Sequence, residues 1–359
     1  MWCGFGVYLT VNKKARIFGG ATQPKYKSFS MPQSCHNSDL GINFLTEISP
    51  HEVSWDEHRS DAESVKILYN HSIELSKYAD RINGCSGILK FGVNPDEGKL
   101  VLKQAFFCRV RHCPVCQWRR SLLWRAVMFQ QLPNIQERFP THRWVFLTLT
   151  VKNPPVTELR DTLKHMNDSW QRLIQTKRFK SGVAGFLRTT EVTRGNDGDM
   201  MAHPHFHALL LVKPSYFKGQ GYIKQADWVE MWAKALRADY LPSVNVKAVK
   251  ATLDEKGRKQ LDKAICETLK YSVKPSDLAL ERDKGAWLHE MTKQVHKMRF
   301  IATGGVLKGI LKPEDEITTE EMISSSEEVQ DVGESRVAFQ FKPEYRKYVY
   351  APKYNEYAD

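Results

Sequence analysis

The spacing of apolar residues changes from one stretch of this chain to the next, and each spacing predicts an element. Between Asp56 and Ala79 the residues Val65, Leu68, Tyr69, Ile73 and Leu75 recur at helical intervals, so a helix is expected there. SLLWRAVMFQQL (121–132) predicts another. RWVFLTLTV (143–151) is β-branched and aromatic, which favours a strand. A helical pattern follows over 157–179. GFLRTTEVTR (185–194) and MAHPHFHALLLV (201–212) predict two strands joined by the turn signal GNDGD. Next come a helix over 225–240, a strand over 243–250, and a helix over 257–274 that must stop before Pro275.

Strands mixed with helices, one pair forming a hairpin, imply the α+β class with a central antiparallel sheet flanked by helices. Four segments are expected. Residues 1–55, rich in Gly, Ser, Pro and Asn, form a loosely structured arm. Residues 56–130 are helical and cysteine-rich, and 140–280 hold the mixed α/β pattern. Residues 281–359 form a C-terminal extension, whose stretch 313–335 carries nine acidic side chains, no basic one, and the pattern of a solvated loop.

Composition narrows the class. The 359 residues include 53 Lys and Arg against 41 Asp and Glu, a net charge of +12, which suits a polyanionic partner. No run of 18 apolar residues is present, so no membrane helix is expected. The first residues are apolar before they are basic, the reverse of an export signal. Seven cysteines without such a signal point to reduced thiols in a cytoplasm.

Candidate chemistry begins in MAHPHFHALLLV. Side chains alternate along a strand, so His203, His205 and His207 share one face, about 6–7 Å apart in successive pairs. Two of these imidazoles can lean onto one divalent ion. Glu191, the only carboxylate on the preceding strand, falls roughly opposite His205 and is the candidate third ligand. Such a set accepts Mg²⁺, Mn²⁺ or Zn²⁺. The competing reading is a polar strand end with its histidines in solvent.

On a helical wheel Lys263, Glu267, Lys270, Tyr271 and Lys274 fall within an arc of about 100°, opposite Leu261, Ile265, Leu269 and Val273. A phenol is a poor nucleophile by itself, with a pKa of about 10. A cation polarising a phosphate beside it would let it attack phosphorus. A solvated helix face with Glu–Lys pairs is the alternative.

FLTLT (146–150), HPHFH (203–207) and ETLKYSVK (267–274), in that order, resemble the three motifs of HUH endonucleases. More narrowly they resemble the replication initiators of small rolling-circle plasmids, over roughly residues 80–280. The resemblance implies the HUH fold for 140–280. It implies nicking of one strand at a double-strand origin, a 5′-phosphotyrosine intermediate, and a 3′-OH that primes replication. His205 and His207 match the metal pair with Mn²⁺ or Mg²⁺, and Tyr271 matches the nucleophile of a single-tyrosine enzyme. Glu267 matches a glutamate one turn before it, with Lys270 and Lys274 alongside. His203 is an extra residue at the start of the motif.

FCRVRHCPVCQWRRS supplies Cys108, Cys113 and Cys116, and Cys85 is the candidate fourth ligand of a structural Zn²⁺ site, with His112 as an alternative. Cys3, Cys35 and Cys266 have no partners by spacing. Arg109, Arg111, Arg119, Arg120 and Arg125 crowd the cluster with Trp118 and Trp124. Arginine pairs with phosphate and tryptophan stacks on unpaired bases, so this is the expected origin-contact surface, although Trp124 also suits a core. It is expected to lie apart from the chemistry, so that losing its zinc would spare cleavage of a short single strand.

Expected partners are single- and double-stranded origin DNA, a host helicase and a DNA polymerase, with a homodimer left open and no membrane. Three other readings compete: an HUH-type transposase, a zinc-containing DNA-binding regulator without chemistry, and a metal hydrolase or oxygenase on a β-barrel. The last leaves the tyrosine stripe, the arginines and the charge without a role.

Overall fold

The structure, a computed structural model, describes residues 43–93, 100–196, 198, 200–249, 255–270, 272–273, 275–278, 283–308, 319–324 and 336–355. The first helices are α1 (Leu45–Ile48), α2 (Val53–Asn70) and α3 (Ser76–Asn83), followed by strands β1 (Ile88–Val93) and β2 (Leu100–Ala105) and helix α4 (Pro114–Arg138). The middle of the chain holds β3 (Arg143–Thr150), α5 (Leu159–Gln175), α6 (Lys177–Gly182), β4 (Val183–Arg194), β5 (Ala202–Val212), α7 (Gln225–Leu236) and β6 (Val244–Val249). Then come α8 (Glu255–Thr268), α9 (Pro275–Leu278), α10 (Ala286–Gln294), β7 (Ile301–Gly305), α11 (Thr319–Ser324), β8 (Arg336–Lys342) and β9 (Lys347–Tyr350).

Two antiparallel sheets result, ordered β2-β1-β8-β9 and β6-β3-β5-β4-β7. The second sheet positions the site. Its central strand β5 sends Phe206, Ala208, Leu210 and Val212 to one face, where Trp170 of α5 and Trp232 of α7 meet the Phe206 ring. Leu163, Met166, Trp170 and Leu173 recur at three- and four-residue steps, which is why α5 buries one stripe there. Leu209 and Leu211 point to the other face with Trp144 and Leu187. Trp124 and Met128 of α4 and Leu261 and Ile265 of α8 cover them, with Leu269 just beyond. Burying Leu261, Ile265 and Leu269 is worth roughly 5–9 kcal/mol before the cost of ordering the helix. The same face of β5 continues as His207, His205 and His203, so the histidines begin where this apolar cover stops.

The hairpin register is the one the sequence implies: Glu191 pairs with His205 and Thr189 with His207. Other expectations are corrected. The single helix over 56–79 is two, because the chain turns between Asn70 and Ser76 and leaves Ile73 exposed. Residues 43–55 are not a loose arm: Leu45 is fully buried and Phe44 bridges to Val349. Beyond residue 281, β7 pairs with β4, while β8 pairs with β1, so both sheets take strands from a stretch expected as an extension. The arm up to residue 42 and most of 313–335 lie outside the described residues, as do Tyr271, Lys274, Cys3 and Cys35. Among the described residues, no helix is long and apolar enough to cross a membrane.

Candidate active site

His205 and His207 present their Nε2 atoms to one oxygen, Glu191 Oε2, at 2.8 and 2.9 Å. All three side chains are buried, and the three ligand atoms lie within 4.8 Å of one another. His205 Nδ1 lies 3.2 Å from the carbonyl of His203, an acceptor only, so Nδ1 carries the proton of this contact. With Nδ1 so bonded, Nε2 of His205 and a carboxylate oxygen of Glu191 face each other, an arrangement that either a proton on Nε2 or a shared cation satisfies. His207 Nδ1 meets Thr148 Oγ1 at 3.2 Å, and its ring stacks on Phe146. Both imidazoles are thus held from behind with Nε2 forward, as metal-bound histidines are. Glu191 Oε1 is buried with no hydrogen-bond partner among the described residues. One carboxylate, two imidazoles and an orphaned buried oxygen fit a divalent cation.

Burial works against charge on Glu191, but hydrogen bonds from His205 and His207 outweigh it and hold the carboxyl well below its usual range. Burial pushes His207 down, against its bond to Glu191. Lys270 Nζ reaches Glu191 Oε2 at 2.8 Å and Glu267 Oε1 at 2.7 Å. Burial opposes its charge, yet the Glu191 carboxylate raises Lys270 above the ordinary lysine value. His203 does not join the cluster; its Nδ1 meets Asn153 Oδ1 at 2.6 Å.

The helix expected to reach residue 274 ends at Thr268. Its last carbonyls are taken by neighbours: Thr189 Oγ1 donates to Thr268 O at 2.6 Å and Ser121 Oγ to Leu269 O at 2.5 Å. Val192 N then donates to Ser272 O, and a proline at 275 disfavours helix in the residue before it. Glu267 therefore lies next to the last residue of its helix. Tyr271 and Lys274 lie outside the described residues, but Lys270 and Ser272, either side of Tyr271 in the chain, both bond to β4.

The sulfurs of Cys85, Cys108, Cys113 and Cys116 form one buried group. Sγ–Sγ distances are 3.6 Å for Cys85–Cys116, 3.6 Å for Cys108–Cys116 and 3.7 Å for Cys113–Cys85. These exceed a disulfide of about 2.05 Å. They match the edge of about 3.8 Å in a tetrahedron with Zn–S near 2.3 Å. Cys108 N also donates to Cys85 Sγ at 3.4 Å. His112, the alternative to one thiolate, lies outside this group; its Nδ1 faces Tyr69 and Thr292, and burial lowers it to about 3. Cys113 caps α4 and Pro114 opens it, so the cluster grips the start of that helix.

The arginine surface is smaller than the sequence suggests. Arg119 is buried, donating from Nε to Met322 O at 2.8 Å and packing over Trp55 and Trp118. Arg111 donates to Met298 O and lies over Phe300. Trp118 meets Trp55 edge-on and His58 at a tilt of 35°, so it is not a free platform. Arg109 is exposed, with its backbone in the left-handed region, and Arg120 and Arg125 are half-exposed. Gln117, Ser121 and Thr148 went unmarked in the sequence; only the alternation Thr148–Thr150 in FLTLT hinted at a polar edge.

Residues 99–349, more than half of the chain, match the model of a family described as "Replication protein". A "Protein rep" of Streptococcus pneumoniae serotype 2 (strain D39 / NCTC 7466) is 38% identical over 235 residues, 65% of this chain and 71% of that protein. A "Protein rep" of Bacillus amyloliquefaciens is 36% identical over 251 residues, 66% and 73% of the two chains. A "Replication protein" of Staphylococcus aureus is 38% identical over 186 residues, 51% and 78%. No solved structure matches.

Proposed function

The chain belongs to this family of replication proteins, and on that footing we propose that it is a plasmid replication initiator that nicks one strand of its origin, with residues 140–280 as a nicking domain of the HUH fold. The observation that carries this reading is the convergence of Glu191 Oε2 with His205 Nε2 and His207 Nε2 on neighbouring strands of one sheet.

Glu191, His205 and His207 would hold Mn²⁺ or Mg²⁺, which when bound supplies polarisation of the scissile phosphate. Tyr271 is the proposed nucleophile: its oxygen bonds to phosphorus, the bond from phosphorus to O3′ breaks, the phenol loses its proton and O3′ gains one. The result is a 5′-phosphotyrosine and a free 3′-OH for priming. Lys270 stays cationic in its carboxylate surroundings, so it serves charge on the phosphate rather than acting as a base. Glu267 is placed by its ion pair to Lys270, and Lys274 is a further expected phosphate contact. The four cysteines would hold structural Zn²⁺, and Arg109, Arg120 and Arg125 would contact origin DNA.

A regulator without chemistry has no use for a buried Glu–His–His group. A transposase shares the site, and family membership favours replication over it. A host helicase and polymerase in the cytoplasm follow from the role, which leaves a homodimer open. The test is to incubate the full chain with supercoiled and single-stranded origin DNA plus Mn²⁺. A covalent protein–DNA adduct is expected, lost in Tyr271→Phe with DNA affinity kept. The same adduct in that variant, or none with the unaltered chain, overturns the reading.

A further inference from the structure

Gln117 lies in the first turn of α4, one residue after Cys116. Its Oε1 accepts two hydrogen bonds, from Ser272 Oγ at 2.9 Å and from Val273 N at 3.3 Å. One turn further along, Ser121 Oγ donates to Leu269 O. Gln117 and Ser121 are both buried and come from a helix whose first residues are gripped by the four-cysteine group. On the opposite side the same segment is tied to β4, through Val192 N to Ser272 O and Lys270 Nζ to Glu191. The segment is therefore clamped between α4 and the strand that carries Glu191.

We propose that α4 is a strut joining the cysteine cluster to the nucleophile segment, and that Gln117 is a positioning residue for cleavage. The proposal rests on Tyr271 being the nucleophile. The physical logic is geometric. The helix ends at Thr268, and Leu269 N makes its last bond, to Ile265 O; Ser272 and Val273 lie beyond that bond. Their conformation is set by the groups that capture their backbone, and Gln117 captures two donors at once. Its reach depends on where the first turn of α4 sits, and Cys113 and Cys116 fix that turn through sulfurs shared with Cys85 and Cys108. The cluster is thus not remote from the chemistry, contrary to what the sequence suggests. Loosening it should disturb cleavage even on a short single strand that needs no origin recognition.

Two variants and one non-catalytic readout test this in the full chain. Gln117→Met keeps the volume and removes both acceptor bonds; Gln117→Glu keeps an acceptor for each. Single-turnover adduct formation on a short single strand should fall about a hundredfold in Gln117→Met, as an ångström-scale misplacement costs. DNA affinity should hold and Gln117→Glu should recover most of the rate. Exchange of the Val273 amide should quicken in Gln117→Met. It should quicken also in Cys85→Ser, which weakens the cluster without replacing any residue of α4. Unchanged adduct formation in Gln117→Met, or equal loss in both Gln117 variants, overturns the positioning role. Unchanged Val273 exchange in Cys85→Ser overturns the strut. If Tyr271→Phe still forms the adduct, the nucleophile assignment has failed instead.

Discussion

Lys270 lies 2.8 Å from Glu191, so the ammonium beside the proposed nucleophile is bonded to the carboxylate of the proposed metal site. The same nitrogen reaches Glu267, which links two carboxylates of different elements through one charge. Lys270→Met should therefore lower the single-turnover rate of adduct formation by about 10²- to 10³-fold, the loss typical of one preorganised charge stabiliser. Lys270→Arg should lose less. A rate within twofold or so of the unaltered chain would show that this charge serves the fold alone.

His205→Ala and His207→Ala should each abolish nicking in Mn²⁺. Glu191 keeps Lys270 as a partner in either variant, so the stability cost should stay at about 1–3 kcal/mol. His203→Ala should be milder, because that ring faces Asn153. Nicking of supercoiled origin DNA and thermal melting read both effects. Normal nicking by both variants in chelator would remove the metal assignment.

Glu267→Gln should still form the adduct but release it poorly. Once one tyrosine is esterified, closing the circle needs a second nucleophile, and a carboxylate acting as general base on water supplies one. Glu267 is about half-exposed and paired only to Lys270 among its described contacts, so solvent can reach it. Multimeric or unterminated single strands are the expected product in a replication assay. Equal loss of adduct formation and termination would assign Glu267 to holding Lys270.

Elemental analysis should find zinc bound to the four thiols, and Cys113→Ser should lose it. Local stability should then fall across residues 85–125, because Cys85 and Cys108 sit on loops that the other two join to α4. Chain purified without chelator and free of zinc would contradict this.

Arg194 and Asp283 form a half-buried pair at 2.6 Å that ties the end of β4 to the approach to α10. Burial opposes charge on Asp283, but the Arg194 bond wins and lowers its carboxyl below the ordinary 3.8. The sign follows: the folded value lies below the unfolded one, so the stabilisation is complete above pH ~4 and fades as pH falls through the folded value. Asp283→Asn should cost about 1–3 kcal/mol at neutral pH. Denaturant midpoints of the two chains should converge in acid. A gap independent of pH would assign the effect to packing.

The sequence by itself determined the pairing of Glu191 with His205. Strand alternation and the hairpin turn leave little freedom, since a slip of one residue would exchange the face of Phe206 and Leu210 with the face that carries the histidines. It also determined that four cysteines could meet, because a Cys-x-x-Cys at a helix start needs only two more thiols. The end of α8 was decided by tertiary structure. Helical periodicity runs on to Val273, yet Thr189, Ser121 and Val192 take the backbone first, the first two from 79 and 148 residues away. Which arginines face solvent was likewise decided late. Arg119 and Arg109 look alike in sequence, but α11 buries Arg119 on its carbonyls and meets Arg109 only with the Thr319 hydroxyl, leaving it exposed. Gln117 carried no signal at all, because its role exists only where α4 crosses the segment from Leu269 to Val273. Local pattern fixes which groups lie on one face of one element; contacts across many residues fix what those groups touch.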